Sequence, residues 1–472
     1  MRALRSSSQS LFSFSPISYK TTDLAEALQR IADHLSDNIF AYVSADLEEG
    51  LAKPEVGQNG MSAEQVLRMA LIKQIEGLSY RDLHLRVEDS ICLRRFAGYE
   101  FTMVPQKSAL QANISAIREE SWERINDAIV RYGIKLGIDS PEKVRIDTTN
   151  TQTDIHHPTD ASLLYDGVRV IARICVQAKR RWSAIETPFH NRTRSCKKLS
   201  CQISNAKSDT QRRKHYLKLV ALAEETLDYG IQTCRMLRAL LLAEASDQAF
   251  ARCCAEELKE VCNLLRRVID QTKRRVFKGE TVPAEEKVVS IFEPHTDILE
   301  KGKRETEFGH KVCLSMGRKL IFDLDVLDGN PVDTESYIPA IERMKEKYGK
   351  KAATTVATDQ GFGSSENAIK AAELGVAVQS FTGRRIAEAG RKYVVDEGPL
   401  RRMLDRFRAG AEGMISTAKR AGAGLKRCLW EGYDHFMSYV WSVATAFNVK
   451  AIAAVLVEQM VKERKKTRLS RC

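Results

Sequence analysis

The sequence predicts a mixed α/β fold in which helices flank a sheet. The stretch Val144–Thr153 (VRIDTTNTQT) begins with a predicted short strand that ends at about Asp147, and Ala353–Thr358 is a second predicted strand. In each, apolar or β-branched residues alternate with polar ones and a polar segment follows. Between about Asp160 and Glu285 the pattern is helical and basic, without a strand signal, and helices return from Leu400. This order of elements indicates a mixed sheet that a long helical insertion interrupts.

A helix-turn-helix outline precedes the first strand. Ser62 and Gln65 form a predicted capping box that opens a helix, Gly77 ends this helix, and Ser79 caps the next one. This outline predicts a DNA-binding domain, although any small helical bundle gives a similar pattern. The candidates for phosphate contacts are all basic or imidazole side chains near the second helix: Arg81, His84, Arg86, Arg94 and Arg95.

The predicted divisions of the chain follow from these patterns. They are residues 1–60, a partly disordered N-terminal segment with a helix near Leu24–Leu35; 61–140, the helical DNA-binding domain, ending in a helix at about Ser108–Leu136; 141–160 and 286–455, the sheet-containing core; 161–285, the helical insertion; and 456–472, a basic C-terminal tail. Further predicted core elements are strands Lys287–Phe292, Glu307–Met316, Lys319–Leu327 and Val376–Phe381, and helices Glu335–Tyr348 and Ser365–Leu374.

The composition is that of a globular protein with a basic surface. The 472 residues are 43% hydrophobic and 29% charged. The 74 Lys and Arg residues outnumber the 62 Asp and Glu residues, which gives a formal net charge of +12. This excess favours a polyanionic partner, nucleic acid before membrane, although a basic surface kept for solubility remains the alternative. Eleven cysteines without a pairing rhythm indicate reduced thiols of a cytoplasmic protein, and the apolar stretch Phe436–Val457 is predicted to be a buried helix.

Two acidic residues stand at corresponding places on predicted strands. Asp147 falls where the first strand becomes polar, and Asp359 directly follows a β-branched strand, with Gly361 and Gly363 behind it. Glycines allow the backbone to turn sharply near a metal or phosphate. Two nearby carboxylates repel each other unless a cation lies between them, so the pair predicts Mg²⁺ or Mn²⁺.

A third carboxylate is expected from a helix beside the sheet. In FRAGAEGMISTAKR, Glu412 follows Arg408 by four residues and precedes Lys419 by seven, so all three lie on one helix face. One metal-binding carboxylate between two cations for phosphate suits phosphodiester chemistry. A surface ladder of salt bridges is the structural alternative for these three residues.

The chain resembles bacterial insertion-sequence transposases of the DDE type from about Met61 to Val455. Four stretches carry the resemblance: LRMALIKQIEGLSYRDLHLRVEDSICLRRFAG, VRIDTTNTQTDIHHPTDASLLYDGVRV, VATDQGFGSSENA and RAGAEGMISTAKR. The resemblance implies an RNase H-like catalytic core in which Asp147, Asp359 and Glu412 bind the metal. Many members also carry a signature in which Tyr, Arg, Glu and Lys are separated by two, three and six residues, respectively. Arg408, Glu412 and Lys419 match this signature, but Asp405 stands at the Tyr position.

The resemblance implies a DNA transposase. Such an enzyme would bind the terminal inverted repeats of its element, cut there with Mg²⁺ or Mn²⁺, and join the freed 3′-hydroxyl to target DNA. Its partners would be double-stranded DNA and further copies of the chain, as a homodimer or larger synaptic complex. The alternatives are a catalytically inactive or repurposed DNA-binding protein of the same fold, and a nuclease without strand transfer.

Other polar residues compete for a place in the site. The acidic ones are Asp154, Asp160 and Asp166 after the first strand, and Asp323, Asp325 and Asp328 at the hairpin, where edge-strand charge and turn chemistry are expected. The imidazoles of His156, His157 and His310 are candidates for substrate contacts. Trp430 and Trp441 are expected in the core.

Overall fold

The protein folds into two compact units. The computed structural model describes residues 23–49, 60–100, 102–182, 185, 189–242, 248–299, 306–383, 386–420 and 424–469. Unit 1 comprises Met1–Gln152 with His310–Cys472, and unit 2 comprises Thr153–Gly309.

The described elements run from helices through a sheet to a long final helix. In chain order they are α1 (Asp23–Asp33), α2 (Asp37–Glu48), α3 (Ala63–Glu76), α4 (Tyr80–Asp89), α5 (Ile91–Ala97), α6 (Lys107–Ile114), α7 (Glu119–Lys135), β1 (Lys143–Gln152), α8 (Asp160–Arg181), α9 (Thr193–Ser204), α10 (Asp209–Leu242), α11 (Gln248–Thr272), β2 (Asp297–Leu299), β3 (Glu307–Met316), β4 (Ile321–Leu327), α12 (Asp333–Tyr348), β5 (Thr355–Asp359), α13 (Ser365–Glu373), β6 (Val378–Thr382), α14 (Glu388–Arg391), α15 (Gly398–Arg420) and α16 (Tyr433–Leu469).

The local signals at the start of unit 1 are confirmed. The Ser62 side chain accepts the Gln65 backbone N–H at 3.2 Å, and the Gln65 side chain accepts the Ser62 N–H at 3.0 Å. Gly77 ends α3 with φ at 69°, a conformation that favours glycine. Ser79 caps α4 by accepting the N–H of Asp82.

Two expectations for the N-terminal part change, and a third lies outside the described residues. The helix predicted at Ser108–Leu136 is two helices, α6 and α7. The sequence reading also missed α2, whose buried residues Ile39, Phe40, Val43 and Leu47 have helical spacing. Residues 1–22 and 50–59, which include most of the expected disorder, lie outside the described residues.

The sheet confirms the mixed α/β class. Within unit 1 the strand order is β4-β3-β1-β5-β6, with β1 at the centre. Strand β1 runs parallel to β5, and β5 runs parallel to β6, whereas β3 and β4 form an antiparallel hairpin. Helix α15 contacts β1, β5 and β6, and α12 contacts β1 and β4.

The last helix covers the core of unit 1. Helix α16 packs on α7, α3 and α1 and continues to Leu469, so the segment expected as a tail is helical through Leu469. It is the one described helix long and apolar enough to cross a membrane. Within its apolar window, however, 67% is buried inside the protein, as expected for a core helix.

Unit 2 is a helical bundle with its own hydrophobic core. Helices α8 to α11 pack on one another, and the short strand β2 pairs with residues 307–309 of β3. The strand predicted at Lys287–Phe292 is wrong, because this stretch is irregular. Its apolar residues Val288, Val289 and Ile291 are buried, which explains the β-branched pattern without a strand.

Candidate active site

The two predicted aspartates occupy neighbouring positions on adjacent strands. Strand β1 continues to Gln152, so the expectation that Asp147 follows its strand is wrong. Its pairing with β5 runs from Lys143 opposite Thr355 to Ile146 opposite Thr358, and Asp147 and Asp359 are the next residues. Neighbouring strands lie about 4.8 Å apart. The fold therefore brings these two residues from distant parts of the sequence to neighbouring strand positions.

Both aspartates are held by the backbone that follows them. The Asp147 carboxylate accepts the N–H of Thr148 at 2.8 Å, and the Asp359 carboxylate accepts the N–H of Gln360. The Asp359 side chain is 43% exposed, and Asp147 is half-buried. Solvent can thus reach carboxylates whose strands fix their position.

Helix α15 brings Glu412 to the same site through an arginine. Arg408 Nη2 lies 3.2 Å from Asp359 Oδ2, and Arg408 Nη1 lies 3.1 Å from Glu412 Oε1. The Arg408 side chain is only 16% exposed, whereas that of Glu412 is 70% exposed. Lys419 is half-buried seven residues further on. One guanidinium therefore bridges two of the three predicted carboxylates.

The alternation of β1 puts Asp147 on the face that α15 covers. Arg145, two residues earlier, donates to the carbonyl oxygen of Phe407 in α15 at 2.6 Å. Residues two apart in a strand share a face, so Asp147 also faces α15. Burial lowers the pKa of Arg145.

The three carboxylates are donors of the kind that a divalent cation prefers, but they do not form a metal site in the arrangement observed. Among the residues that the structure describes, no group of three His, Cys, Asp or Glu is close enough to hold a metal ion. Arg408 instead provides the positive charge between Asp359 and Glu412. Carboxylate oxygens are the ligands that Mg²⁺ and Mn²⁺ prefer, and these carboxylates are accessible. The Arg408 guanidinium must move away from Asp359 and Glu412 if all three acidic residues are to share a cation.

Asp405, at the family's Tyr position, is already engaged. Its carboxylate accepts from Arg401 Nε at 2.8 Å and from the Thr382 hydroxyl at 2.9 Å. Thr382 pairs with Asp359 in the sheet. Asp405 therefore ties the start of α15 to the strand beside the two aspartates.

The sequence reading missed Asp333. This residue begins α12, accepts the Thr148 hydroxyl at 3.0 Å and pairs with Lys311 at 2.7 Å. Asp333 also explains why position 361 is a glycine, because a Cβ atom there would lie only 2.8 Å from an Asp333 carboxylate oxygen. The chain turns sharply after Asp359, through the 3-10 turn Gln360–Phe362, but neither Gly361 nor Gly363 has positive φ. The signal for Asp333 was an acidic residue two positions before the predicted helix Glu335–Tyr348, where the N-terminal end of a helix favours negative charge.

The hairpin aspartates form a separate buried network. Asp323 is fully buried and pairs with Arg343 at 2.8 Å and Lys347 at 2.5 Å, while Asp325 pairs with Arg343. The expectation of edge-strand charge is therefore wrong for Asp323, because its charge is compensated inside the protein. In unit 2, Asp160 pairs with Arg275 and Asp166 pairs with Arg169 and His156.

His310, a candidate for substrate contacts, is buried among aromatic rings, and the two tryptophans expected in the core differ in burial. His310 is 2% exposed, with the rings of Tyr433 and Phe436 at 5.4 and 4.8 Å. Trp441 is buried, as expected, and Trp430 is half-buried against Tyr439.

The predicted phosphate-binding arginines fall into two groups. Arg86 pairs with Glu76 at 2.9 Å, and Arg94 pairs with Glu88 at 3.2 Å. Arg81 and Arg95 are exposed, and the described residues provide neither with an ion-pair partner. Basic runs of unit 2 are also paired with acids: Arg212 with Asp209, Lys273 with Glu224, Arg274 with Glu280 and Glu286, and Arg275 with Asp160.

The fold and one comparison with known proteins support a DNA-processing enzyme. A mixed α/β chain with carboxylates at neighbouring strand positions is compatible with such an enzyme, and a match to a family model indicates which kind. Residues 19–116, which include α1 to α6, match the model described as Transposase domain (DUF772). This match supports a transposase. No curated protein and no solved structure matches the chain.

Proposed function

We propose that the chain is a DNA transposase of the DDE type with an RNase H-like core. The observation that carries the proposal is the adjacency of Asp147 and Asp359, with Arg408 joining Asp359 to Glu412. A mixed sheet with its first strand at the centre and helices on both faces is what an RNase H-like core requires. The transposase-domain match supports the same class.

Asp147, Asp359 and Glu412 would hold Mg²⁺ or Mn²⁺. A bound pair of such cations supplies activation of a water or 3′-hydroxyl and stabilisation of the leaving oxygen. The strands of Asp147 and Asp359 keep their carboxylates in place, while Glu412 is the exposed member that adjusts. Arg408, once released from the acids, and Lys419 would contact phosphates of the bound DNA.

The N-terminal helices would bind the terminal inverted repeats. Arg81 and Arg95 are the best placed for phosphate contacts, because Arg86 and Arg94 must first leave acidic partners. Two element ends must be held together during strand transfer, so a homodimer or larger synaptic complex is proposed. The protein would act in the cytoplasm, associated with DNA.

A second candidate is a catalytically inactive DNA-binding protein of this fold. The specific observation in its favour is that Arg408 occupies the space between Asp359 and Glu412. A nuclease without strand transfer would share the site of the favoured enzyme. The three candidates differ in their products rather than in their DNA binding.

The experiment that tests the proposal begins with the DNA that flanks the coding region. A duplex with the matched inverted repeats found there is incubated with the full chain and Mg²⁺, Mn²⁺ or EDTA. The proposed transposase produces metal-dependent nicks at the repeat ends and joined products with a target plasmid. Nicks without joining indicate the nuclease, and binding without nicks indicates the inactive protein.

A further inference from the structure

A buried arginine connects the strand of Asp147 to the helix of Glu412. Arg145 is 4% exposed, and its Nη1 donates to the Phe407 carbonyl oxygen at 2.6 Å. Its Nη2 lies 2.6 Å from Met414 Sδ. Within the described part of the chain Arg145 has no carboxylate in ion-pair contact. Burial lowers its pKa, and the more distant Asp139 carboxylate acts in the opposite direction.

Two contacts of Arg145 lie on α15, one on each side of Glu412, and a third is the hydrogen bond that Nη2 donates to the Arg318 carbonyl oxygen at 3.3 Å. Phe407 is five residues before Glu412, and Met414 is two residues after it. The Arg145 guanidinium also lies over the Phe407 ring, with Cζ 5.0 Å from the ring centroid. Arg145 and Asp147 share one face of β1, so this contact fixes the distance between the strand and the helix turn that carries Glu412.

A glycine makes the contact possible. A Cβ atom at Gly410 would collide with Arg145 Nη1 and lie 3.1 Å from Cζ, whereas a Cβ atom at Gly413 would meet nothing within 4 Å. Glycine inside a helix is less favourable than alanine. The Arg145 side chain has little freedom to retreat, because it is buried and bonded to α15. Space for the guanidinium therefore accounts for Gly410.

We propose that Arg145 and Gly410 are positioning residues that set Glu412 against Asp147 and Asp359. This inference rests on the proposed metal-dependent function. Arg145 acts through α15 and touches neither substrate nor metal. Loss of the contact lets the helix shift on the sheet, so Glu412 no longer completes the metal site that the strand aspartates begin.

The test compares four variants in the full chain. Arg145→Met removes the charged contact, Arg145→Lys retains the charge, Gly410→Ala fills the space, and Gly413→Ala is the matched control in the same helix. Mn²⁺ binding to DNA-free protein is measured by electron paramagnetic resonance. The kcat and KM for nicking of the repeat duplex are measured separately, and circular dichroism checks folding.

We expect Arg145→Met and Gly410→Ala to weaken Mn²⁺ binding and lower kcat by about tenfold each, with KM for DNA near the wild-type value. Arg145→Lys is expected to recover part of the loss, and Gly413→Ala to match the wild type. The double variant Arg145→Met/Gly410→Ala should be no worse than Arg145→Met, because the collision needs the guanidinium.

Wild-type Mn²⁺ affinity and kcat in folded Gly410→Ala and Arg145→Met overturn the positioning role and leave the proposed function intact. If Arg145→Met does not fold, Gly410→Ala decides alone. A change in KM for DNA without a change in Mn²⁺ affinity also overturns the positioning role. A wild-type protein that neither binds Mn²⁺ nor nicks DNA contradicts the proposed function itself, and the positioning role fails with it.

Discussion

The Arg408 guanidinium lies 3.2 Å from the Asp359 carboxylate, and its other terminal nitrogen lies 3.1 Å from Glu412. The chain thus carries its own cation between two carboxylates that are proposed metal ligands. A divalent cation and this guanidinium compete for the same negative charge. Metal binding and release of Arg408 toward DNA are therefore coupled in the proposed enzyme.

Replacement of Arg408 by Gln is predicted to tighten Mn²⁺ binding in the absence of DNA. We expect about fivefold tighter binding, because exposed ion pairs contribute up to ~1 kcal/mol and both carboxylates are partly exposed. Titration followed by electron paramagnetic resonance measures the change. Arg406→Gln, at an exposed position in the same helix, is the control. Unchanged Mn²⁺ affinity in Arg408→Gln would show that the guanidinium does not compete with metal.

Removal of charge from any one of the three acidic residues is predicted to abolish nicking. Asp147→Asn, Asp359→Asn and Glu412→Gln keep side-chain size and remove an anionic oxygen ligand, so the cation is no longer held. Binding to the repeat duplex, measured by gel shift, should stay near wild type. The Glu346→Gln control alters an exposed acid on α12. Normal nicking by one of the three variants removes that residue from the site.

Sequence patterns were sufficient where a structure depends on a few consecutive residues or on which strands are neighbours in the sheet. Ser62 and Gln65 cap α3 because the capping box depends on four consecutive residues. The adjacency of Asp147 and Asp359 followed from two strand signals and a helical insertion between them. The buried spacing of α2 was equally visible in Ile39, Phe40 and Val43, so that helix could have been predicted.

Tertiary contacts explain what the sequence did not reveal. Val288, Val289 and Ile291 have the composition of a strand, but burial in an irregular segment satisfies the same apolar pattern. Gly410 gives no local signal for its role, because the collision it avoids comes from Arg145, which is 265 positions away in the sequence. Asp333 likewise became notable only through Thr148.

The N-terminal arginines are predicted to contribute unequally to DNA affinity. Arg81→Ala and Arg95→Ala should each reduce the slope of log K against log salt concentration by about 1, because each exposed guanidinium would neutralise one phosphate. Arg86→Ala and Arg94→Ala should change the slope less, since both arginines have acidic partners. Fluorescence anisotropy at several salt concentrations measures the slopes. Arg212→Ala, paired with Asp209 in unit 2, is the control. Equal slopes for all four variants would contradict the distinction.

Lys73 makes the stability of unit 1 depend on alkaline pH. This α3 residue is 7% exposed, with Nζ 4.8 Å from the Tyr80 ring centroid and 5.6 Å from that of Trp430. Burial lowers its pKa from 10.5 to about 8, although the neighbouring Cys428 thiol acts in the opposite direction. The folded protein therefore gives up this proton more readily than the unfolded chain does.

The cost of burying the Lys73 charge is fully present below pH 8 and declines as pH rises toward 10.5. The free energy of unfolding of the wild type, relative to Lys73→Met, should therefore increase between these pH values. The increase is at most about 3 kcal/mol from the pKa difference, and attraction to the two rings reduces it. Urea unfolding at pH 7, 8, 9 and 10 measures the difference, with Lys107→Met at an exposed position as control. A pH-independent difference between wild type and Lys73→Met would mean that the lysine keeps its ordinary pKa, because its two ring contacts then compensate for burial.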